Sequence, residues 1–307
     1  MTGALLLVLA AALLIAGAEL FVDNAAGAGR RLGVTVVAVG VLLAGAEPEE
    51  LLTAVIAAAR DRPGLAVGDA IGANVTMLTA CVGLAALVRP LHLGLRVRQY
   101  AVASAVAGGL ALLALLGGTV GRVEGALLLL AYGGLVGLVW WREKAPPAIG
   151  ELAEVEQGGR LPRTPLVALV LALVGIALML AGGDLAVRGA SEVVDAVGRS
   201  DSSVGLTVLA LATSAELFAL VLSAARHDVP EIAIAGVVGS AAYNATATIG
   251  SAALVRPLLA DGVVAAATAA AALPLVVLLL APGGRLGRLA GAALCAGYAA
   301  YVGLVLA

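Results

Sequence analysis

The feature that most constrains this chain is a series of apolar segments, each about as long as a helix that crosses a bilayer. A transmembrane helix needs about 20 mostly apolar residues, because it must cross about 30 Å of hydrocarbon. Ten such spans can be counted, approximately Ala4–Ala28, Val34–Ala59, Pro63–Val88, Tyr100–Gly118, Val123–Trp141, Pro165–Val187, Ser203–Ala225, Val229–Val255, Gly262–Ala281 and Leu286–Leu306. The sequence therefore predicts an all-α membrane protein with about ten transmembrane helices.

The composition excludes an ordinary soluble domain. Hydrophobic residues make up 62% of the chain and charged residues 12%, whereas about a quarter of a soluble domain is charged. We interpret Met1–Ala18 as a retained first helix and not as a signal peptide, because it lacks a basic region and continues directly into Glu19. Cys81 and Cys295 both lie in apolar segments and do not predict a disulfide framework.

One long polar stretch divides the spans five and five. It runs from Arg142 to Thr164 and reads as an extramembrane linker rich in Glu and Gly. We therefore predict a first five-helix repeat at residues 1–141, a linker at 142–164 and a second five-helix repeat at 165–307.

The two halves share short sequences in the same order. LLIAGAELFV at residues 13–22 resembles LMLAGGDLAV at residues 178–187, AAR closes the second and the seventh span, and ALVRPL begins at Ala86 and again at Ala253. Internal repetition of this kind indicates two related structural units. Because each unit has an odd number of spans, the halves are expected to lie in opposite orientations with broken helices at the midplane, as in many secondary transporters.

The distribution of Lys and Arg predicts the orientation in the membrane. With the N-terminus outside, twelve of the 18 basic residues fall in cytoplasmic loops. Cytoplasmic loops carry the excess of basic residues in most membrane proteins. We therefore expect a plasma (inner) membrane protein of bacterial type, with its N-terminus outside and its central linker in the cytoplasm.

The second predicted span carries three carboxylates and a proline, in the sequence GAEPEELLTA. Glu47, Glu49 and Glu50 would each cost about 3 kcal/mol in the hydrocarbon region, so they are candidate functional residues. Pro48 interrupts the helix and frees a backbone carbonyl. The simpler alternative is that a turn ends a short span here, but Leu51–Ala59 is too short to cross alone.

The seventh span carries one carboxylate, Glu216, close to the hydroxyls of Thr213 and Ser214. It matches Glu49 at an offset of 167 residues, or Glu50 at 166. Two buried glutamates in related positions could share a divalent cation, because Ca²⁺ prefers six to eight oxygen ligands.

Polar residues follow in the third and eighth spans, within GDAIGAN and AGVVGSAAYN. They include Asp69, Asn74, Ser240 and Asn244. The last three are candidate ligands, with hydrogen bonding between helices as the alternative. Glu19, Asp23 and Asp184, near the ends of the first and sixth spans, fit the interface or pairing with loop arginines better than a binding site. His92 and His227 fall in loops and do not suggest a metal site.

With these elements in view, the sequence resembles the cation/calcium exchanger superfamily, which includes sodium/calcium and proton/calcium exchangers. In the sodium/calcium type, two repeats carry G-T-S-x-P-E and then G-N-x-x-G-S-N-x-x-N. Here the first repeat reads GAEPE and GDAIGANVTM, and the second reads ATSAE and AGVVGSAAYN. The resemblance covers nearly the whole chain and implies that cations bind at Glu49, Glu216, Thr213, Ser214, Ser240, Asn244 and Asn74.

The first repeat departs from the family pattern. Ala46 and Glu47 stand opposite Thr213 and Ser214, and Met77 stands where the pattern has its last Asn. In the second repeat the proline is absent and Ala241 replaces the Asn of G-S-N. The resemblance favours Glu49 as the family glutamate because its offset needs no gap, while Glu50 remains the alternative.

The loss of neutral oxygens and the clustering of carboxylates favour a proton-coupled or differently selective site, because like charges favour a proton on one of them. The prediction is a secondary antiporter without a cofactor, exchanging Ca²⁺ for Na⁺ or H⁺. A cation channel and a non-transporting scaffold are the alternatives. No catalytic or phosphate-binding motif predicts an enzyme, and no basic run predicts nucleic-acid binding. The expected partners are cations and membrane lipid, and the internal repeat is compatible with a monomer.

Overall fold

The computed structural model describes residues 2–31, 47–143, 165–226 and 230–307. Most of these residues are helical. In the first half, the elements are α1 (Thr2–Arg31), α2 (Pro48–Ala59), α3 (Pro63–Thr76), a π-helical segment (Met77–Cys81), α4 (Val82–Val88), β1 (Leu91–His92), α5 (Leu95–Leu115), β2 (Thr119–Val120) and α6 (Arg122–Glu143).

The second half follows the same order. Its elements are α7 (Pro165–Val197), α8 (Asp201–Val204), a π-helical segment (Gly205–Leu209), α9 (Ala210–Thr213), α10 (Ala215–Arg226), α11 (Pro230–Tyr243), a π-helical segment (Asn244–Thr248), α12 (Ile249–Val255), β3 (Leu258–Leu259), α13 (Val264–Leu279), a 3₁₀ turn (Pro282–Gly284), β4 (Arg285–Leu286) and α14 (Arg288–Leu306).

Six helices of the described parts of the chain are long and apolar enough to cross a membrane. The third predicted span forms as one unbroken stretch, Pro63–Val88, whereas the ninth appears as the shorter apolar helix Val264–Leu279. Residues 34–46 of the second span and 144–164 of the linker lie outside the described residues. The prediction of ten spans, and the domain boundaries drawn from it, therefore stay predictions.

The internal repeat is visible in the element boundaries. Five elements of the first half each begin 167 residues before their counterparts in the second half. The pairs are α2 and α10, α3 and α11, the π-helical segments that begin at Met77 and Asn244, α4 and α12, and β1 and β3. This spacing equals the offset of the ALVRPL repeat. The two halves therefore repeat at the level of structure as well as sequence.

The seventh predicted span is interrupted, as a midplane break requires. Helix α9 ends at Thr213, Ser214 has φ −77° and ψ 6°, and α10 begins at Ala215. In the first half, Glu47 precedes α2 with a non-helical φ of −101° and ψ of 78°, and Pro48 occupies the first turn, where its missing N–H is tolerated. Both glutamate-bearing helices thus begin next to non-helical backbone.

The halves interlock through strands and close helix contacts. The two-residue strand β1 pairs with β4, and β2 pairs with β3, so that each antiparallel pair joins one half to the other. Helices α1 and α7 meet at Gly17 and Gly175, where a Cβ at Gly17 would lie 2.8 Å from the Gly175 carbonyl oxygen. Small residues permit such close approach of membrane helices.

Candidate cation-binding site

Five carboxylates are buried where the equivalent helices of the two halves meet. They are Glu47, Glu49 and Glu50 at the start of α2, Asp69 on α3 and Glu216 on α10, and none has more than 7% of its surface exposed. Glu49 is close enough to Glu216, Glu47 and Asp69 for their charges to act on one another. A buried carboxylate is costly unless a cation or hydrogen-bond donors compensate for lost water.

Among the described residues, arginine side chains do not supply this compensation to the four carboxylates of the first half. In the part of the chain that the structure describes, arginines pair instead with other aspartates: Arg60 and Arg188 with Asp184, Arg62 with Asp201, and Arg256 with Asp61. The pairing of Asp184 with Arg60 agrees with the expectation that Asp184 pairs with a loop arginine. The side chain of Asp23 and all of His227 lie outside the described residues.

Glu50 is held by hydrogen-bond donors from the other half. Ser214 Oγ donates to Glu50 Oε1 at 3.2 Å, and Asn244 Nδ2 donates to Glu50 Oε2. The side chain of Asn244 is oriented in turn by Thr248, whose hydroxyl donates to Asn244 Oδ1 at 3.1 Å. Hydrogen bonds to a charged group are stronger than neutral ones, so these contacts fix the Glu50 carboxylate.

Glu47 and Glu49 have less compensation. Both carboxylate oxygens of Glu47, and Oε2 of Glu49, are buried and accept no hydrogen bond from the described residues. Ser240 lies beside Glu47, but its hydroxyl donates to the Gly236 carbonyl at 3.1 Å. Thr53 donates to the backbone carbonyl of Glu49 at 2.7 Å, not to its carboxylate. These oxygens can accept a cation or a proton without first breaking another bond.

Asn74 links the halves at equivalent positions. Its Nδ2 donates to the backbone carbonyl of Ala241 at 2.9 Å, and Ala241 is the residue 167 positions later. The Oδ1 atom of Asn74 is buried without a partner among the described residues. The amide therefore joins the helices with one atom and keeps the other available as an oxygen ligand.

The nine residues that the sequence analysis selected are all buried in the structure. They come from the start of α2, from α3, from the break before α10 and the first turn of α10, and from α11 with its π-helical continuation. The nine are Glu47, Glu49, Glu50, Asn74, Thr213, Ser214, Glu216, Ser240 and Asn244. Asp69 is not among the residues that the sequence predicts as ligands. The sequence signal for it is an acidic side chain in an apolar span, and in the structure this residue is 1% exposed.

These carboxylates do not form a compact metal centre. No group of three or more His, Cys, Asp or Glu side chains within the described residues is arranged to hold a metal ion. A cation at this site would therefore need hydroxyl, amide or backbone oxygens beside the carboxylates, as the ligand preferences of hard cations allow.

The chain is similar to a known protein family and to several of its members. The model of the family described as sodium/calcium exchanger protein matches residues 2–141 and 167–307. The chain is 30% identical over 284 residues to a putative antiporter, CaxA, of Alkalimonas amylolytica, which covers 90% of this chain and 88% of that protein. It is 29% identical to the inner membrane protein YrbG of Escherichia coli K12, over 74% of this chain and 69% of that protein.

Solved structures confirm the fold class. The chain superposes on the sodium-calcium exchanger NCX_Mj with a TM-score of 0.65 and 23% identity, covering 98% of both chains. The H⁺/Ca²⁺ exchanger CAX gives a TM-score of 0.76 at 15% identity, covering 97% of this chain and 81% of that one. These similarities confirm the predicted all-α architecture in two repeats.

Proposed function

Because this chain belongs to the sodium/calcium exchanger protein family, we propose that it is a secondary active antiporter that exchanges Ca²⁺ for Na⁺ or H⁺. Transport would proceed by alternating access around Glu49 and Glu216. Family membership makes the chain an integral membrane transporter and not an enzyme. The choice of ions and the role of the two glutamates are the proposal.

The observation that carries the proposal is the equivalence of the two glutamates. Glu49 and Glu216 are each the second residue of helices that begin 167 positions apart, next to non-helical backbone. Both are buried, and their charges are close enough to repel each other. A cation between them would relieve that repulsion, and helix breaks at the midplane are where secondary transporters bind their ions.

The repeat favours a transporter over a channel or a scaffold. Two related halves within one chain allow the site to open toward either side by similar movements of each half, whereas a scaffold has no use for buried carboxylates. The coupling ion is Na⁺ or H⁺ in this proposal. Two features favour H⁺ as the coupling ion: the four carboxylates of the first half, and Met77, which adds no oxygen ligand. The hydroxyls of Thr213 and Ser214 favour Na⁺ as the coupling ion.

The sequence pattern also supports a location and an orientation. The excess of Lys and Arg in alternate loops supports a plasma (inner) membrane of bacterial type, with the N-terminus outside. To test this orientation, single cysteines would be introduced at Thr2 and Gly287. Their reactivity with an impermeant maleimide would be measured in intact cells and in inverted vesicles.

Uptake of ⁴⁵Ca²⁺ into proteoliposomes tests the proposal. Purified protein would be reconstituted with an outward Na⁺ gradient or, separately, an outward H⁺ gradient, with valinomycin and K⁺ holding the membrane potential at zero. We expect uptake above the ambient Ca²⁺ level under one gradient, because antiport couples the two fluxes. A channel would equilibrate Ca²⁺ under both conditions, and folded protein without uptake under either gradient would reject the Ca²⁺ assignment.

Asn244→Ala should raise the apparent KM for Ca²⁺ by about tenfold and change the maximal rate less. The variant removes a donor to Glu50 Oε2, and a hydrogen bond to a charged group contributes about 1.5–3 kcal/mol. Initial uptake rates at varied Ca²⁺ would measure it. Thr268→Ala is the matched control, because its hydroxyl donates only to Val264 within an exposed part of its own helix. Equal KM values in the two variants would contradict a role for Asn244.

A further inference from the structure

Asp69 is a buried carboxylate outside the residues assigned above. It lies on α3 with 1% of its surface exposed, and its Oδ1 accepts a hydrogen bond from Thr213 Oγ1 at 3.0 Å. Its Oδ2 is buried and accepts no hydrogen bond from the described residues. Asp69 is thus an incompletely compensated charge that already contacts a candidate ligand from the other half.

The hydroxyl of Thr213 has one proton and three possible acceptors. Asp69 Oδ1 lies at 3.0 Å, and the backbone carbonyl oxygens of Leu209 and Ala210, within the same helical stretch, each lie at 3.2 Å. Donation to a carboxylate is the strongest of these bonds. Asp69 therefore decides which way the hydroxyl proton points and leaves the lone pairs of the Thr213 oxygen available to a cation.

This contact is adjacent to the one made by Glu50. Thr213 donates to Asp69, and the next residue, Ser214, donates to Glu50. The break between α9 and α10 is therefore held by two consecutive bonds to carboxylates of the first half. When ionised, the Asp69 carboxylate also acts on the charges of Glu49 and Glu50, which places it within electrostatic reach of a cation bound there.

The charge at this position has no counterpart in the second half. The equivalent residue 167 positions later is Gly236, which has no side chain. The first half thus adds one negative charge at a place where the second half adds none. Because the second half lacks this carboxylate, the presence of Asp69 is not explained by the internal repeat.

On the premise of the proposed antiporter, we infer that Asp69 is a specificity-determining residue that orients Thr213 and favours divalent over monovalent cations. A fixed negative charge attracts a divalent cation twice as strongly as a monovalent one at the same distance. Removing it therefore weakens Ca²⁺ binding more than Na⁺ binding. We expect the ratio of the two affinities to fall by about tenfold or more, given an effective dielectric constant of about 20 near such sites.

Cation binding by purified full-length protein in detergent is the test, because it does not depend on transport. The midpoint of thermal unfolding would be followed against CaCl₂ and against NaCl at constant ionic strength with N-methylglucamine chloride, which gives an apparent Kd for each cation. Asp69→Asn keeps an acceptor for Thr213 and removes the charge, whereas Asp69→Ala removes both. Asp61→Asn is the matched control, because that aspartate is exposed in a turn and pairs with Arg256.

The expected result is a Ca²⁺-to-Na⁺ affinity ratio reduced about tenfold in Asp69→Asn and unchanged in Asp61→Asn. In Asp69→Ala the Ca²⁺-to-Na⁺ affinity ratio should fall as far. Adding Thr213→Val to Asp69→Ala should lower the Ca²⁺ affinity by less than Thr213→Val lowers it in the wild type. If Asp69→Asn does not fold, the affinity ratio of Asp69→Ala tests the inference instead. A ratio within about twofold of wild type, or equal losses for both cations, would overturn the inference.

The two proposals fail in different ways. Wild-type protein that takes up and binds Ca²⁺, with an unchanged ratio in the Asp69 variants, refutes the role of Asp69 and leaves the antiporter intact. Folded wild-type protein that is stabilised by neither cation and takes up no Ca²⁺ refutes both.

Discussion

Replacing Glu216 by Gln is expected to abolish Ca²⁺ uptake, with a loss of about 100-fold or more in initial rate at low Ca²⁺. The substitution keeps the size of the side chain and removes one of two buried charges proposed to hold the cation. Removing one partner of a buried pair of opposite charges, here the glutamate beside the bound cation, costs about 3–5 kcal/mol. Each 1.4 kcal/mol is a factor of ten in affinity. The measurement is ⁴⁵Ca²⁺ uptake under the driving gradient identified for the wild type.

Glu49→Gln should have an effect as large as Glu216→Gln, and Glu50→Gln a smaller one. Glu49 occupies the position equivalent to Glu216, whereas Glu50 already accepts bonds from Ser214 and Asn244. If Glu50→Gln instead abolished uptake and Glu49→Gln did not, the alternative register from the sequence would be correct.

Loss of uptake must be separated from loss of fold. Without added cations, Glu216→Gln and Glu49→Gln should unfold at a temperature no lower than wild type, because each removes a charge that repels its neighbours. A variant that is inactive and also unfolds at a lower temperature would not support a direct role in cation binding.

Gly72→Ala should have the largest effect on stability, about 3 kcal/mol or more. A Cβ at Gly72 would overlap the backbone oxygen of Leu206, in the π-helical segment before α9, and would lie 2.7 Å from its Cα. The clash is with backbone, so a side-chain rotation cannot relieve it. That same oxygen accepts a hydrogen bond from the Tyr301 hydroxyl at 3.0 Å, so a movement of the Leu206 segment away from α3 would disturb this bond.

The stability effect can be measured as the midpoint of thermal unfolding in detergent. Gly109→Ala is the matched control, because nothing lies within 4 Å of a Cβ there and the residue is within helix α5. Alanine is favoured over glycine by about 1 kcal/mol in a helix interior, so the control should be neutral or stabilised. If the two variants unfolded at the same temperature, the close contact at Gly72 would not exist in the folded protein.

The sequence was sufficient for features that depend on local composition. Continuous apolar segments such as Pro63–Val88 identify membrane helices because the bilayer requires one length and one polarity from each. Repeated segments such as ALVRPL revealed the two halves, because duplicated sequence keeps its spacing. Glu47, Glu49, Glu50 and Glu216 could be selected because a carboxylate in an apolar span is costly wherever it points.

Only the tertiary structure decides which of the selected residues contact one another. Glu50 meets Ser214 and Asn244, which are 164 and 194 positions away, and no pattern in either half predicts which of three neighbouring glutamates they contact. The sequence does not single out Asp69, because its proposed role depends on a contact with Thr213, which is 144 positions away. Hydrogen bonds across the two halves depend on how the helices pack, and packing is decided by close contacts such as that between Gly72 and Leu206.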